Sequence, residues 1–216
     1  GSAVIGGSAV TLTIVVNNTS PVDIPNFSID DVFPPLAGNP AIQVASPPNA
    51  SSTCTGGGTP AAFAPTAGAS SVSASGGTVK ASGTCTLKVD VVGVFSNGQY
   101  STSALTNTID RSTQFGNDLG LVPLTNATAN ITVTSPLRVT KGFNHPYLSS
   151  GNSDAFTITL SNVGNAPLTV SAFSDSPIDG IGNAAYGLKV TGTPTVNCPG
   201  GTNGTYAITG GGTGIT

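Results

Sequence analysis

The chain has 216 residues, a net charge of −3 and only 7% charged residues, with no Glu, Met or Trp, while 29 Gly and 16 Pro stand among abundant Ser, Thr, Asn and Ala. Six Lys and Arg, scattered from Lys80 to Lys189, leave nothing to neutralise a phosphate backbone or to hold an anionic bilayer surface, which excludes nucleic acid as a partner. No run reaches the ~20 apolar residues of a membrane-spanning helix, and 38% hydrophobic residues with so little charge exclude disorder.

Gly6-Gly7-Ser8 is a turn, after which Leu12, Ile14 and Val16 alternate with Thr11, Thr13 and Val15. Period two predicts a half-buried strand. It is ended by Asn17-Asn18-Thr19-Ser20-Pro21, residues that hydrogen-bond their own backbone or fix φ. Ile24, Phe27, Ile29 and Val32 resume an extended pattern before Pro34-Pro35, and Ile42 and Val44 form a short third strand ended by Pro47-Pro48. Residues 55–70, rich in Gly, Ala, Thr and Pro with a lone Phe63, read as a long surface loop. Ser71–Ser75 alternates again, Gly76-Gly77 offers a hairpin turn, and Thr78-Val79 begins the return. Cys85, Leu87, Val89 and Val91 then point one way, with Thr86, Lys88 and Asp90 on a watered face. Gly98–Ile109 supplies another strand through Tyr100 and Leu105. Residues 110–125 form a loop folded partly back onto the core, and Asn126–Thr134 closes the domain through Ala129, Ile131 and Val133. No window holds a helical period. Short strands at roughly 8–12-residue spacing predict an all-β fold, an antiparallel β-sandwich of the immunoglobulin type with essentially no helix.

The stretch Ala9–Pro34 is written twice, returning as Ala155–Pro177: Val16-Asn17 answers Ser161-Asn162, Pro21-Val22 answers Pro167-Leu168, and Asp31 answers Asp175. Cys54 answers Cys198, and 198 − 54 = 144 gives the period, too long for a solenoid repeat. Two tandem sandwiches are therefore expected, at 1–136 and 137–216. Leu137–Phe143 is a strand whose counterpart in the first copy would fall before Gly1, so the first copy lacks its first strand and the second is incomplete at its C-terminal side. Ser135-Pro136 joins them without a flexible spacer. Without an initial Met or a signal peptide, the chain reads as a processed or excerpted part of something longer.

Cys54 and Cys85 lack the C-x-x-C spacing of zinc or redox chemistry and point instead to a disulfide, which places the protein outside the cytoplasm or on a cell surface. On the chain-entropy account, closing about 30 residues stabilises the fold by ~3 kcal/mol. Cys198 has no equivalent of Cys85 within this chain, since that place would fall beyond Thr216.

Candidate chemistry is sparse, and no catalytic residue and no cofactor are expected. His145, in Phe143-Asn144-His145-Pro146, would need a nucleophile and an orienting acid, and nothing in the first copy answers it. Asp30-Asp31 suggests paired carboxylates, but adjacent strand residues face opposite ways, so the pair reads as a solvated strand end with Asp31 capping a turn. Calcium is the metal with candidate ligands, in Asp110, Asn117 and Asp118, with Asp175 and Asp179 as further oxygens; ordinary Asx turns are the alternative. The glycines at 56–58 and 210–214 lack the following helix and Lys of a phosphate loop. Sequons such as those beginning at Asn18, Asn49 and Asn126 mark glycosylation only as an option.

The order TLTIVVNN, IDDVFP, PPNASSTC, SVSASGGTVKASGTCTLKVDV, YSTSALTNTI and LTNATANITV, resumed at LRVTKGF, resembles bacterial surface repeat domains of a conserved immunoglobulin-like kind, which occur in tandem in large secreted or cell-surface proteins. The resemblance implies paired cysteines at Cys54 and Cys85 and puts Cys198 in the first-cysteine place. The chain departs from it in its missing first strand and its long loops at 55–70 and 110–125. The expectation is a structural, non-catalytic part of an extracellular filament or rod, whose partners are further copies or the neighbouring domains of one long chain. Either a strand donated by a neighbour or the chain's own continuation would complete the first copy, and the continuation is the simpler account. The alternative is an adhesin stalk or binding module that meets a glycan or a cell surface through loops 55–70 and 110–125.

Overall fold

Runs of β-branched residues broken by Gly, Pro and Asn favour extended backbone, and strands are what they form. The computed structural model describes residues 1–36, 38–54, 61–94, 103–165, 167–175, 192–193, 195–198, 208–209 and 214–215, and no helix occurs among them. The strands in chain order are β1 (Ser2–Val4), β2 (Val10–Asn17), β3 (Ile24–Val32), β4 (Pro35–Leu36), β5 (Asn39–Pro40), β6 (Ile42–Val44), β7 (Ser51–Ser52), β8 (Ser71–Val79) and β9 (Thr84–Gly93). They continue with β10 (Leu105–Ile109), β11 (Phe115–Gly116), β12 (Ala127–Thr134), β13 (Leu137–Phe143), β14 (Phe156–Asn162), β15 (Ile208–Thr209) and β16 (Gly214–Ile215). Two compact units result, one of Gly1–Val139 and Thr159–Pro167, the other of Thr140–Ile158 and Leu168–Thr216.

In the first unit β9 is the spine of one layer, antiparallel to β2 on one side and to β6 and β7 on the other. A second layer holds β8, β3 and β11 in that order, and a third sheet carries β10, β12 and β1. The alternation that predicts β2 and β9 holds. Leu87, Val89 and Val91 of β9 are buried, as are Ile14, Ile42 and Val44 of the same layer. They meet Phe27 and Ile29 of β3, Val72, Ala74 and Val79 of β8, Ile109 of β10 and Val133 of β12 in one core. Cys54 and Cys85 are disulfide-bonded inside that core, with Cα atoms 4.8 Å apart.

The sequence pattern and the structure part company in three places. Along β3, Asn26 has a φ of 47° and the register with β8 shifts at Phe27, so a bulge moves the inward set to Phe27, Ile29, Asp31 and Phe33. Val32 is consequently exposed, and Asp31 is buried rather than solvated at a strand end. Gly76-Gly77 is no hairpin turn: β8 runs through it, and the reversal lies at Lys80–Gly83, where Gly83 N–H donates to Lys80 C=O at 2.9 Å. The N-terminus is a strand as well, since β1 lies parallel to β12 with Ala3 opposite Val133. Residues 55–60 and Gly98–Tyr100 lie outside the described residues. The rest of the expected surface loop is tied down: Ala62 bridges to Ser75, Gly68 N–H donates to Val44 C=O, and Phe63 packs on the core.

Beyond β12, β13 and β14 form a two-stranded sheet, and β15 pairs antiparallel with β16. Asn144 N–H donates to Ala155 C=O at one end of the β13–β14 ribbon, and Val163 N–H to Pro136 C=O at the other.

Candidate functional site

Antiparallel ladders turn alternate residues toward alternate neighbours. Asn18 N–H donates to Gly83 C=O as the β2–β9 ladder ends, so Val10, Leu12, Ile14 and Val16 spend their backbone groups on β9. Thr11, Thr13, Val15 and Asn17 turn theirs away from it. Asp90, opposite Thr11, obeys the same alternation, bonding Pro48 and Ala45 on the far side of β9. Among the described residues no strand takes the outer edge of β2. Beside that edge runs a groove of about 160 Å³ walled by Val10, Leu12, Phe33, Ile42, Val91 and Ile131, with Asn107 also in its lining. An open edge next to an apolar groove is the geometry that accepts a strand.

Asn107 leads to the buried carboxyl group. Its Nδ2 donates to Asp31 Oδ2 at 2.9 Å, while Asp31 Oδ1 and Asn107 Oδ1 accept no hydrogen bond from the protein. Burial dominates and pushes the Asp31 carboxyl up to about 6, against the hydrogen bond from Asn107, which lowers it; the charge of Asp30 adds to the rise. Asp30 and Asp31 face opposite ways, so no carboxylate pair forms. The asparagine before the bulge is equally structural. Asn18 is buried, its Nδ2 donates to the carbonyls of Val22, Val79 and Lys80, and its Oδ1 accepts Ser20 N–H. The sequon that starts there has no free amide for a glycan.

The three calcium candidates make separate local motifs. Asp110 Oδ1 accepts from the N–H and hydroxyl groups of both Ser112 and Thr113, with Ser112 foremost in holding this exposed carboxyl well below the usual range. Asn117 Oδ1 accepts from Leu119 and Leu121 N–H, and Asp118 accepts from Asn26 at 2.6 Å. These are Asx turns and a loop clamp, each oxygen turned to its own donors. Asp175 pairs with Lys141, and Asp179 lies outside the described residues, as do the glycines at 56–58 and 210–213. His145 is exposed and held by Asp154, whose oxygens meet its N–H and Nδ1, each at 2.9 Å; those contacts lower the Asp154 carboxyl. No nucleophile hydrogen-bonds the imidazole among the described residues. Cys198 is an exposed cysteine outside the disulfide.

What sequence reasoning missed, then, is the groove beside β2 and the buried Asp31–Asn107 pair. The β3 bulge could be suspected from Pro25-Asn26, a poor dipeptide for continuous strand; the groove has no signal in any single segment.

A disulfide-closed, all-β unit with an open sheet edge is the class this geometry defines. The chain belongs to DUF7933, a family described as a domain of unknown function, whose model matches residues 1–122. No curated protein and no solved structure matches it. No helix among the described residues is long and apolar enough to cross a membrane.

Proposed function

We propose that this chain is a structural, non-catalytic component of an extracellular filament or rod built from tandem immunoglobulin-like sandwiches. The observation that carries the reading is the repetition of one turn. Asn162 Oδ1 accepts Gly164 N–H at 2.9 Å as Asn18 Oδ1 accepts Ser20 N–H at 2.9 Å, and 162 − 18 = 144 is the spacing of Cys54 from Cys198. The period thus pairs Asn162 with Asn18, one residue from the match that the Val16-Asn17 alignment suggests. In that register Leu12, Ile14 and Val16 of β2 answer Phe156, Ile158 and Leu160 of β14. The buried disulfide is compatible with an extracellular site. Electron microscopy of the native material tests the proposal: sandwiches of such strands stack with an axial rise of roughly 30–45 Å per domain, so uniform fibres with that repeat are expected. Isolated rods would overturn the filament, and turnover lost in His145→Ala would overturn the non-catalytic reading.

A second reading, the adhesin stalk, is favoured by one observation. Leu119, Val122 and Leu124 are 48%, 55% and 93% exposed in one loop, and clustered exposed apolar side chains mark interaction surfaces. Phe63, packed on the core, leaves the other loop less to offer. Unchanged cell or glycan attachment after Leu119→Ser, Val122→Ser and Leu124→Ser would remove this reading.

A further inference from the structure

We infer that Asp31 and Asn107 are the acid and the carboxamide of an amide-forming site, at which a lysine side chain displaces the Asn107 amide nitrogen and leaves a covalent bridge between strands. The lysine is one carried beside β2 as Lys141 of β13 is carried beside β14. The inference rests on the 144-residue period of the proposed function and takes nothing from the filament.

The acid and the amide are already in place. Asp31 is fully buried and Asn107 is 8% exposed, and Asn107 Nδ2 donates to Asp31 Oδ2 at 2.9 Å. A buried pair kept only for structure satisfies its remaining oxygens, yet Asp31 Oδ1 and Asn107 Oδ1 accept no hydrogen bond from the protein. The period identifies the missing member by two routes. Asp175 stands 144 residues after Asp31, and Asp175 pairs with Lys141 Nζ. Phe156 stands 144 residues after Leu12, and Lys141 Nζ lies 5.3 Å from the centroid of its ring; Leu12 lines one groove with Asn107. A lysine set at β2 as Lys141 is set at β14 therefore brings its amine past Leu12 to Asp31, where Asn107 is waiting. The same acid meets an amine at one place and an amide at the other.

Charge supplies the reason to react. An ammonium group on the inward face of a strand is costly to bury, and burial also pushes the Asp31 carboxyl up to about 6, so one proton passes from Nζ to the carboxylate. The neutral amine then attacks Asn107 Cγ. As the Nζ–Cγ bond forms, Asp31 gives its proton to Nδ2 and takes one from Nζ; the Cγ–Nδ2 bond breaks and ammonia leaves. Atoms and charge balance with no co-reactant beyond the lysine, and Asp31 ends neutral, the form that burial favours. Each site reacts once, without turnover, which keeps the protein a structural one.

The test is mass spectrometry of the native polypeptide that carries this chain, digested with trypsin. The fragment holding Asn107, which ends at Arg111, is expected joined to a lysine-bearing fragment, the pair lighter by one ammonia than its parts. In Asp31→Asn and Asn107→Ala variants the two fragments return separately, while the Cys54–Cys85 disulfide in the same digest shows that the variants folded. Asn107 recovered as ordinary asparagine from the parent, or an intact bridge in Asp31→Asn, overturns the proposal. Electrophoresis of the reduced, denatured parent tells the sources of the lysine apart: a bridge within one polypeptide leaves a single chain mass, and a bridge between polypeptides gives a ladder. Bridged material without fibres overturns the filament and leaves the site; fibres with Asn107 unlinked overturn the site and leave the filament.

Discussion

Asp31 is a carboxyl group in the apolar core with one hydrogen-bond donor where an ionised carboxylate would use several. Its folded-state value, about 6, lies above the 3.8 of a free side chain, so the folded protein holds the proton more tightly than the unfolded one. Stability from this group is therefore full below pH ~4 and is lost as pH rises through about 6. Asp90 and Asp154, lowered by hydrogen bonds, act in the opposite sense, which makes the difference between variants the clean measurement. Asp31→Asn should match the parent below pH ~4 and exceed it by about 2–3 kcal/mol above pH ~6, read as the difference in urea midpoints across that range. A constant difference would mean the carboxyl group does not titrate in the fold. Asn18 is the converse case, a buried polar group with all its bonds made. Asn18→Ala strands the carbonyls it serves and should cost ~3 kcal/mol, measured by the same midpoints; a cost below 1 kcal/mol would show that other donors reach those carbonyls.

At the scale of the element, what the sequence made legible is what depends on one strand at a time. The alternations Leu12-Ile14-Val16 and Cys85-Leu87-Val89-Val91 predict β2 and β9 and their inward faces, because period two needs no knowledge of neighbours. Asp31 could not be placed this way. Its face was decided by the bulge at Asn26, and one extra residue inverts everything beyond it. The groove and the β1–β12 pairing were hidden for a stronger reason, since both depend on which strands lie side by side. The glycine pair illustrates the same limit. Gly76, with φ of 79°, looks like a turn residue, but the pair sits inside β8, and a Cβ on Gly77 would lie 2.6 Å from Phe27 Cε1 and 2.7 Å from Ala61 Cβ. Gly77→Ala should therefore lose ~2 kcal/mol through overpacking. Gly142→Ala, with open space around it, should change thermal stability little. Equal melting temperatures for the two variants would show that Phe27 yields.

For the whole molecule, the division of its apolar side chains sets how it unfolds. Among the described residues the buried hydrophobic ones fall between Ala3 and Val133, whereas Phe143, Tyr147, Leu148, Val170 and Phe173 of the other unit are exposed. The disulfide belongs entirely to the first unit and spans a sequence separation of 31, which on the loop-entropy account stabilises it by roughly 3–4 kcal/mol. A unit with a closed core and a unit with exposed apolar surface should not melt as one. Calorimetry of the full chain should give two transitions, and a reductant should lower only the upper one, by about 10 °C for a domain of this size. Two transitions that move together under reduction would instead make the molecule a single cooperative body.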